Sequence, residues 1–200
     1  MTSTRSTIVF LGDSITTARN GYAALVGEML RALQPERRWR AINAGVPGDR
    51  SLDLLSRLGR DVLSHRPDIV VIQVGINDVW RAIDSPGQGL DVPLPAYLRA
   101  VTTAVDRIEA AGARPLLLTT TVLGERAAND GNTRLTPYNA GLRELAAARS
   151  LAMADVHAAF MRVLTAPDPP RLTTDGVHLT RQGNMVMALT VARAVDLLVS

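Results

Sequence analysis

Four short stretches carry the residue types that chemistry needs. Ser14 follows Gly12-Asp13 at the end of an apolar run. Asn43 to Asp49 is rich in glycine, and Gly75-Ile76-Asn77-Asp78 follows a β-branched run. Asp175-Gly176-Val177-His178 precedes the last helical stretch. Each has an ordinary explanation on its own. Gly-Asp-Ser after a strand makes a turn and a helix cap, Asn-Asp forms loops, and Asp-Gly-x-His reads as a turn with a surface histidine. Taken together they supply a serine, a histidine, a carboxylate three residues before that histidine, a side-chain amide and a glycine amide. Those are the parts of an acyl-transfer site: nucleophile, general base, orienting acid and oxyanion donors.

Composition narrows the alternatives. The 200-residue chain has no cysteine, and all 22 of its basic residues are arginine. Without lysine there is no P-loop lysine and no Schiff-base lysine. Without cysteine there is no thiol nucleophile, disulfide or thiolate-held metal. The pI of 10.1 accompanies a net charge of only +3, because arginine titrates so high that a small excess lifts it. Arg37, Arg38 and Arg40 form the densest basic cluster, read as a solvated loop beside Trp39 and not as a nucleic-acid surface. Aromatic residues, at 4%, are too few for a stacking platform along a nucleic acid. No apolar run approaches the roughly 18 residues of a membrane span, and the N-terminal stretch lacks signal-peptide features, so a cytoplasmic location is expected.

The elements that must position these residues alternate. Apolar runs at Ile8–Leu11, Trp39–Asn43, Ile69–Val74, Pro115–Val122 and Leu151–Asp155 read as strands. Helical spacing marks Tyr22–Leu33, Leu52–Leu63, Tyr97–Ala111, Pro137–Arg149, Val156–Leu164 and Arg181–Leu198. Alternation of this kind predicts an α/β fold with a flavodoxin-like, doubly wound, five-stranded parallel sheet of order 2-1-3-4-5 and helices on both faces. Residues 1–200 read as a single domain. Sites in such folds lie at the carboxyl ends of the strands. There the four stretches converge, together with three long segments expected to be binding loops, Arg81–Pro95, Gly124–Thr136 and Thr165–Gly176.

The combination resembles the SGNH (GDSL-type) hydrolase family of esterases and lipases. The family's blocks are matched in order by Gly12-Asp13-Ser14, Gly48, Gly75-Ile76-Asn77-Asp78 and Asp175-Gly176-Val177-His178. Ser14-Ile15 stands where Ser-Leu is usual, and Pro47 stiffens the loop before Gly48. The run Gly75 to Arg81 is similar to the branch of small acetyl-ester carbohydrate esterases. The resemblance implies a serine esterase for small, acetyl-type esters with no cofactor and no metal. In it Ser14 is the nucleophile, His178 the base and Asp175 its partner. The oxyanion donors are the Ser14 and Gly48 backbone N–H groups and the Asn77 amide.

Asp13, next to the nucleophile, reads as a helix cap and is also a substrate-cleft candidate, with Trp80 and Arg81. Trp80 packed over its loop is an equal reading. His65, at a helix end, and His157, a packing or surface histidine, do not form a metal set. The implied partner is a small-molecule ester. Three alternatives are a thioesterase or lysophospholipase of the same family, a non-catalytic ligand-binding module on the same scaffold, and a flavodoxin-like nucleotide binder. The last leaves Asn77 and His178 unexplained. There is no Gly-x-Ser-x-Gly elbow and no Gly-x-Gly-x-x-Gly fingerprint.

Overall fold

A computed structural model describes residues 4–199. Five parallel strands form one sheet in the order β2-β1-β3-β4-β5. They are β1 (Thr4–Gly12), β2 (Arg37–Gly45), β3 (Ile69–Gln73), β4 (Arg114–Leu118) and β5 (Ala152–Ala154). The expected fold class and strand order are both observed.

Each central strand alternates its side chains between the two faces. Ile8, Phe10, Val71, Leu116 and Leu118 pack on one side with helices α2 (Tyr22–Leu33), α7 (Val156–Leu164) and α8 (Arg181–Val199). Val9, Leu11, Val70, Ile72 and Leu117 pack on the other with α3 (Ser51–Asp61), α5 (Leu94–Ala110) and α6 (Asp130–Arg149). Strands covered on both faces must be apolar throughout, and all five residues of β3 are buried. Phe10 meets the Tyr22 ring edge-on at 5.8 Å, locking β1 to the start of α2.

Register decides where the chemistry lies. Gly12 is aligned with Gly45 on one side and with Gln73 on the other. The chain leaving β1, β2 and β3 therefore emerges at one rim of the sheet.

Several boundaries differ from expectation. The Arg37, Arg38 and Arg40 cluster is not a loop but the start of edge strand β2, paired with Thr4, Arg5 and Thr7. Charged side chains on an edge strand discourage pairing with another chain. Helix α6 starts at Asp130, not Pro137, because the Asn129 side chain caps it by accepting from the Asn132 N–H. Pro137 lies inside that helix, so the loop expected over Gly124–Thr136 ends at Asn129. Strand β4 stops at Leu118. Beyond it the Thr120 N–H turns to the Asn139 side chain. The short helix that Asp13 is expected to cap is α1 (Ser14–Thr17), and an unforeseen helix, α4 (Ile76–Asp84), shortens the expected 81–95 loop.

Candidate active site

Gly12 ends β1 with no room for a side chain. A Cβ there would fall 2.1 Å from Thr16 Oγ1 and 2.9 Å from the Gln73 carbonyl. This close approach lets the chain turn at once into α1. Asp13 caps that single turn, its Oδ1 accepting the Ile15 N–H at 2.9 Å, and the Thr17 N–H returns to the Asp13 carbonyl at 3.0 Å. The Asn43 side chain donates to the Thr16 carbonyl at 2.6 Å. Ser14 is therefore the first residue of a short helix braced from both sides.

After β2 the Val46 N–H bonds the Gly12 carbonyl at 2.9 Å. Gly48 follows with φ +83°, a left-handed conformation that favours glycine. After β3, Gly75 turns with φ +128° into α4. There Asn77 Nδ2 donates to the Asp49 carbonyl at 3.0 Å, tying α4 to the Gly48 loop. Asp78 accepts the Ser51 N–H at 3.0 Å and the Ser51 hydroxyl at 2.5 Å, fixing α4 against α3. Burial pushes Asp78 up to about 6, although the Ser51 bonds oppose it. Among the described residues no other backbone group takes the Ser14 or Gly48 N–H.

The fourth stretch is held by a residue that sequence reasoning passed over. The Glu125 carboxylate accepts the Leu172 N–H at 3.1 Å and both the N–H and hydroxyl of Thr173. Thr173 and Leu179 form an antiparallel bridge, and the Thr174 N–H bonds the His178 carbonyl at 2.7 Å. Across this small loop Asp175 Oδ1 accepts the backbone N–H groups of Val177 at 3.0 Å and His178 at 2.8 Å. Its Oδ2 lies 2.7 Å from His178 Nδ1, and His178 Nε2 lies 3.1 Å from Ser14 Oγ. Partial burial works against the charge on Asp175, but the His178 ring and the two backbone donors outweigh it and hold the carboxyl at about 2. The His178 and Asp175 side chains are 46% and 54% exposed, so the pair is open to solvent.

Of the cleft candidates, Asp13 is not one. It is fully buried beneath α1, next to the Gln73 side chain. Capping is what its geometry does. Trp80 is half-buried against the core. The Arg81 guanidinium stacks over it at 5.2 Å and pairs with Asp84 at 3.1 Å. Arg81 Nη2 also stands 3.7 Å from where a side chain on Gly48 would begin, so it overhangs that loop. His157 is buried, with its ring Nδ1 2.9 Å from the Thr121 carbonyl. Among the described residues no cluster of His, Asp and Glu is arranged to hold a metal ion. No helix there is long and apolar enough to cross a membrane.

Burial raises Asp13 to about 7, against the pull of the Ile15 N–H. The folded protein thus keeps this proton where an unfolded chain has released it, above about 3.9. The contribution to stability is complete below that value and is lost as pH rises through about 7. Asp78 acts in the same sense. The Asp13→Asn variant, which keeps the capping oxygen, is expected to lose part of this slope. Urea midpoints of both proteins at pH 5 and pH 8 check it, and identical pH dependence would contradict it.

Residues 10–186 match the GDSL-like lipase/acylhydrolase family. The chain belongs to that family. It is a carboxylic ester hydrolase, and the fold and blocks described above are those of the GDSL type. The acetylxylan esterase of Geobacillus stearothermophilus is 29% identical over 94% of this chain and 93% of its own length. Esterase TesA of Pseudomonas aeruginosa is 31% identical over 56% of this chain and 53% of its own. Among solved structures, LAE5, an alpha/beta hydrolase enzyme from the metagenome of Lake Arreo, Spain, superposes with a TM-score of 0.89. It is 31% identical, with 96% of this chain and 95% of that one covered. The Geobacillus enzyme, Axe2, has been solved as catalytic mutants in which a serine, an aspartate and a histidine three residues beyond it are each replaced by alanine. The aspartate mutant superposes with a TM-score of 0.88 at 29% identity, covering 95% of this chain and 94% of that one.

Proposed function

We propose that this GDSL-type hydrolase is a serine esterase for small, acetyl-type esters, working through Ser14, His178 and Asp175. One observation carries the reading. A serine at the start of a helix has its hydroxyl 3.1 Å from an imidazole nitrogen, and the other ring nitrogen is 2.7 Å from a carboxylate.

In this reading the Asp175 carboxylate accepts Nδ1–H and leaves the Nε2 lone pair facing Ser14 Oγ. Ser14 Oγ attacks the ester carbonyl while His178 takes its proton. Charge gathers on the carbonyl oxygen, where the Ser14 and Gly48 N–H groups and the second hydrogen of Asn77 Nδ2 receive it. His178 passes the proton to the departing alcohol. A water attacks the acyl-serine with the same histidine as base, and the acid product leaves. No cofactor enters these steps. Arg81, stacked on Trp80, stands beside Gly48, where its guanidinium donors would meet hydroxyls on the alcohol half. We read residues 1–200 as one catalytic domain.

The acyl group is taken as short because polar groups surround Ser14 and because the relative covering most of the chain is named for acetylxylan. Two measurements test the reading. Labelling with a fluorophosphonate followed by peptide mapping is expected to place the adduct on Ser14. An unmodified Ser14 in fully inactivated enzyme would rule the mechanism out. Across a p-nitrophenyl ester series, acetyl is expected to exceed decanoyl in kcat/KM. The reverse order would overturn the short-acyl reading.

A further inference from the structure

Arg57 lies on α3, and its side chain is only 7% exposed. A guanidinium this enclosed is tolerated only when its N–H groups are bonded. Its Nε donates to Asp49 Oδ2 at 2.5 Å, and its Nη1 donates to the Ala44 carbonyl at 2.8 Å and Asp61 Oδ2 at 3.4 Å. Its Nη2 donates to the Gly12 carbonyl at 2.9 Å. These partners are not scattered. Gly12 is two residues before Ser14. Ala44 and Asp49 bracket the Gly48 loop, and the Asp49 backbone carbonyl is the acceptor that orients Asn77 Nδ2. The Gly12 carbonyl that Arg57 holds also receives Val46 N–H from the same loop. One buried cation therefore touches the chain near the Ser14 and Gly48 donors and reaches the Asn77 donor through Asp49.

We propose that Arg57 is a positioning residue that sets the spacing of the Ser14, Gly48 and Asn77 donors by clamping the ends of β1 and β2 to Asp49. The inference rests on the serine mechanism above. The planar fork is what suits arginine to the task. Its N–H groups point to four separate acceptors at fixed angles, whereas a lysine ammonium is a single point of charge. Donors aimed at an oxyanion are sensitive to displacement, since a shift near 1 Å costs about 10²-fold in rate. The charge on Arg57 is balanced by Asp49 and Asp61, so its effect on the reaction is geometric.

The test compares Arg57→Lys, Asp49→Ala and the double variant. Rates are referred to protein shown folded by circular dichroism. Arg57→Lys is expected to lower kcat on p-nitrophenyl acetate by roughly 10–100-fold, with KM within about threefold of the parent. Asp49→Ala is expected to lose about tenfold, and the double variant to fall no further than Arg57→Lys, because both changes break one clamp. Affinity for a boronic acid, whose serine adduct is tetrahedral, should fall in parallel with kcat. A clamp serving stability alone would lower the urea midpoint and leave both readings unmoved. Folded Arg57→Lys with kcat within twofold of the parent overturns the proposal, as does a fall in kcat with boronate affinity unchanged. Should Arg57→Lys not fold, Asp49→Ala is judged by the same two readings. Ser14→Ala, run alongside, separates the layers. Hydrolysis persisting in it sinks the serine mechanism, whereas a silent Ser14→Ala beside a fully active Arg57→Lys removes only the positioning role.

Discussion

Alanine at Ser14 or at His178 is expected to lower kcat for p-nitrophenyl acetate by roughly 10⁴–10⁶-fold, and the double variant to fall no further. The non-additivity is the informative part. In the proposed mechanism Ser14 Oγ and His178 Nε2, 3.1 Å apart, act as one device. A hydroxyl without its base is a poor nucleophile, and a base without its hydroxyl has no proton to take. Residual turnover in all three variants should be equal, because the Gly48 and Asn77 donors remain to polarise the carbonyl for a water. Folding should survive both changes. Ser14 is not among the buried residues, and the His178 side chain is 46% exposed, so no cavity opens in the core. Steady-state kinetics with a urea melt of each variant checks the prediction. A His178→Ala protein within tenfold of the parent would mean that another group takes the proton. His157 is poorly placed for that, buried with its ring on the Thr121 carbonyl.

How much of this was legible beforehand depends on whether a feature has a local signature. Tyr22–Leu33 and Val156–Leu164 were bounded correctly because apolar spacing and clear stops coincide there. Sheet order followed from alternation and crossover handedness. The proposed reactive residues could be singled out because each lies within two residues of a glycine, and Asp175 and His178 also share a short fixed spacing. Partnerships across long stretches of chain were not. Arg57 looks like one more surface arginine on an amphipathic helix, and its partners include backbone carbonyls, one of them 45 residues away. Glu125 likewise bonds backbone N–H groups 47 and 48 residues distant. Carbonyls and amides of the main chain are common to every residue, so the sequence carries no mark of which ones will be used. Helix α4 was hidden for a different reason. Asn77 and Asp78 are turn formers by local preference, and the helix there depends on Gly75 at φ +128° and on Ser51 bonding Asp78 from another helix.

The second large effect is expected from Asp175→Asn, a change that alters almost no volume. Asp175 Oδ1 already accepts two backbone N–H groups, those of Val177 and His178. In the variant the amide oxygen must keep that position, since an NH₂ group there would face two donors. The amide nitrogen is thereby turned toward His178 Nδ1, 2.7 Å away in the parent. A donor at that site forces Nδ1 to be the acceptor and places the ring hydrogen on Nε2, pointing at Ser14 Oγ. The histidine then donates to the serine where it must accept. A loss of about 10⁴-fold in kcat is expected from this wrong tautomer, with the fold intact. Since Asp175 is held at about 2, it is charged across the whole working range. Its stabilising pairing is present above the ordinary carboxylate value and is lost only as pH falls toward 2. No inflection between pH 4 and 9 in the parent's profile therefore belongs to Asp175. The variant's deficit should be the same at pH 6 and pH 8. A folded variant within about tenfold of the parent would show that choosing the tautomer is not what the carboxylate supplies.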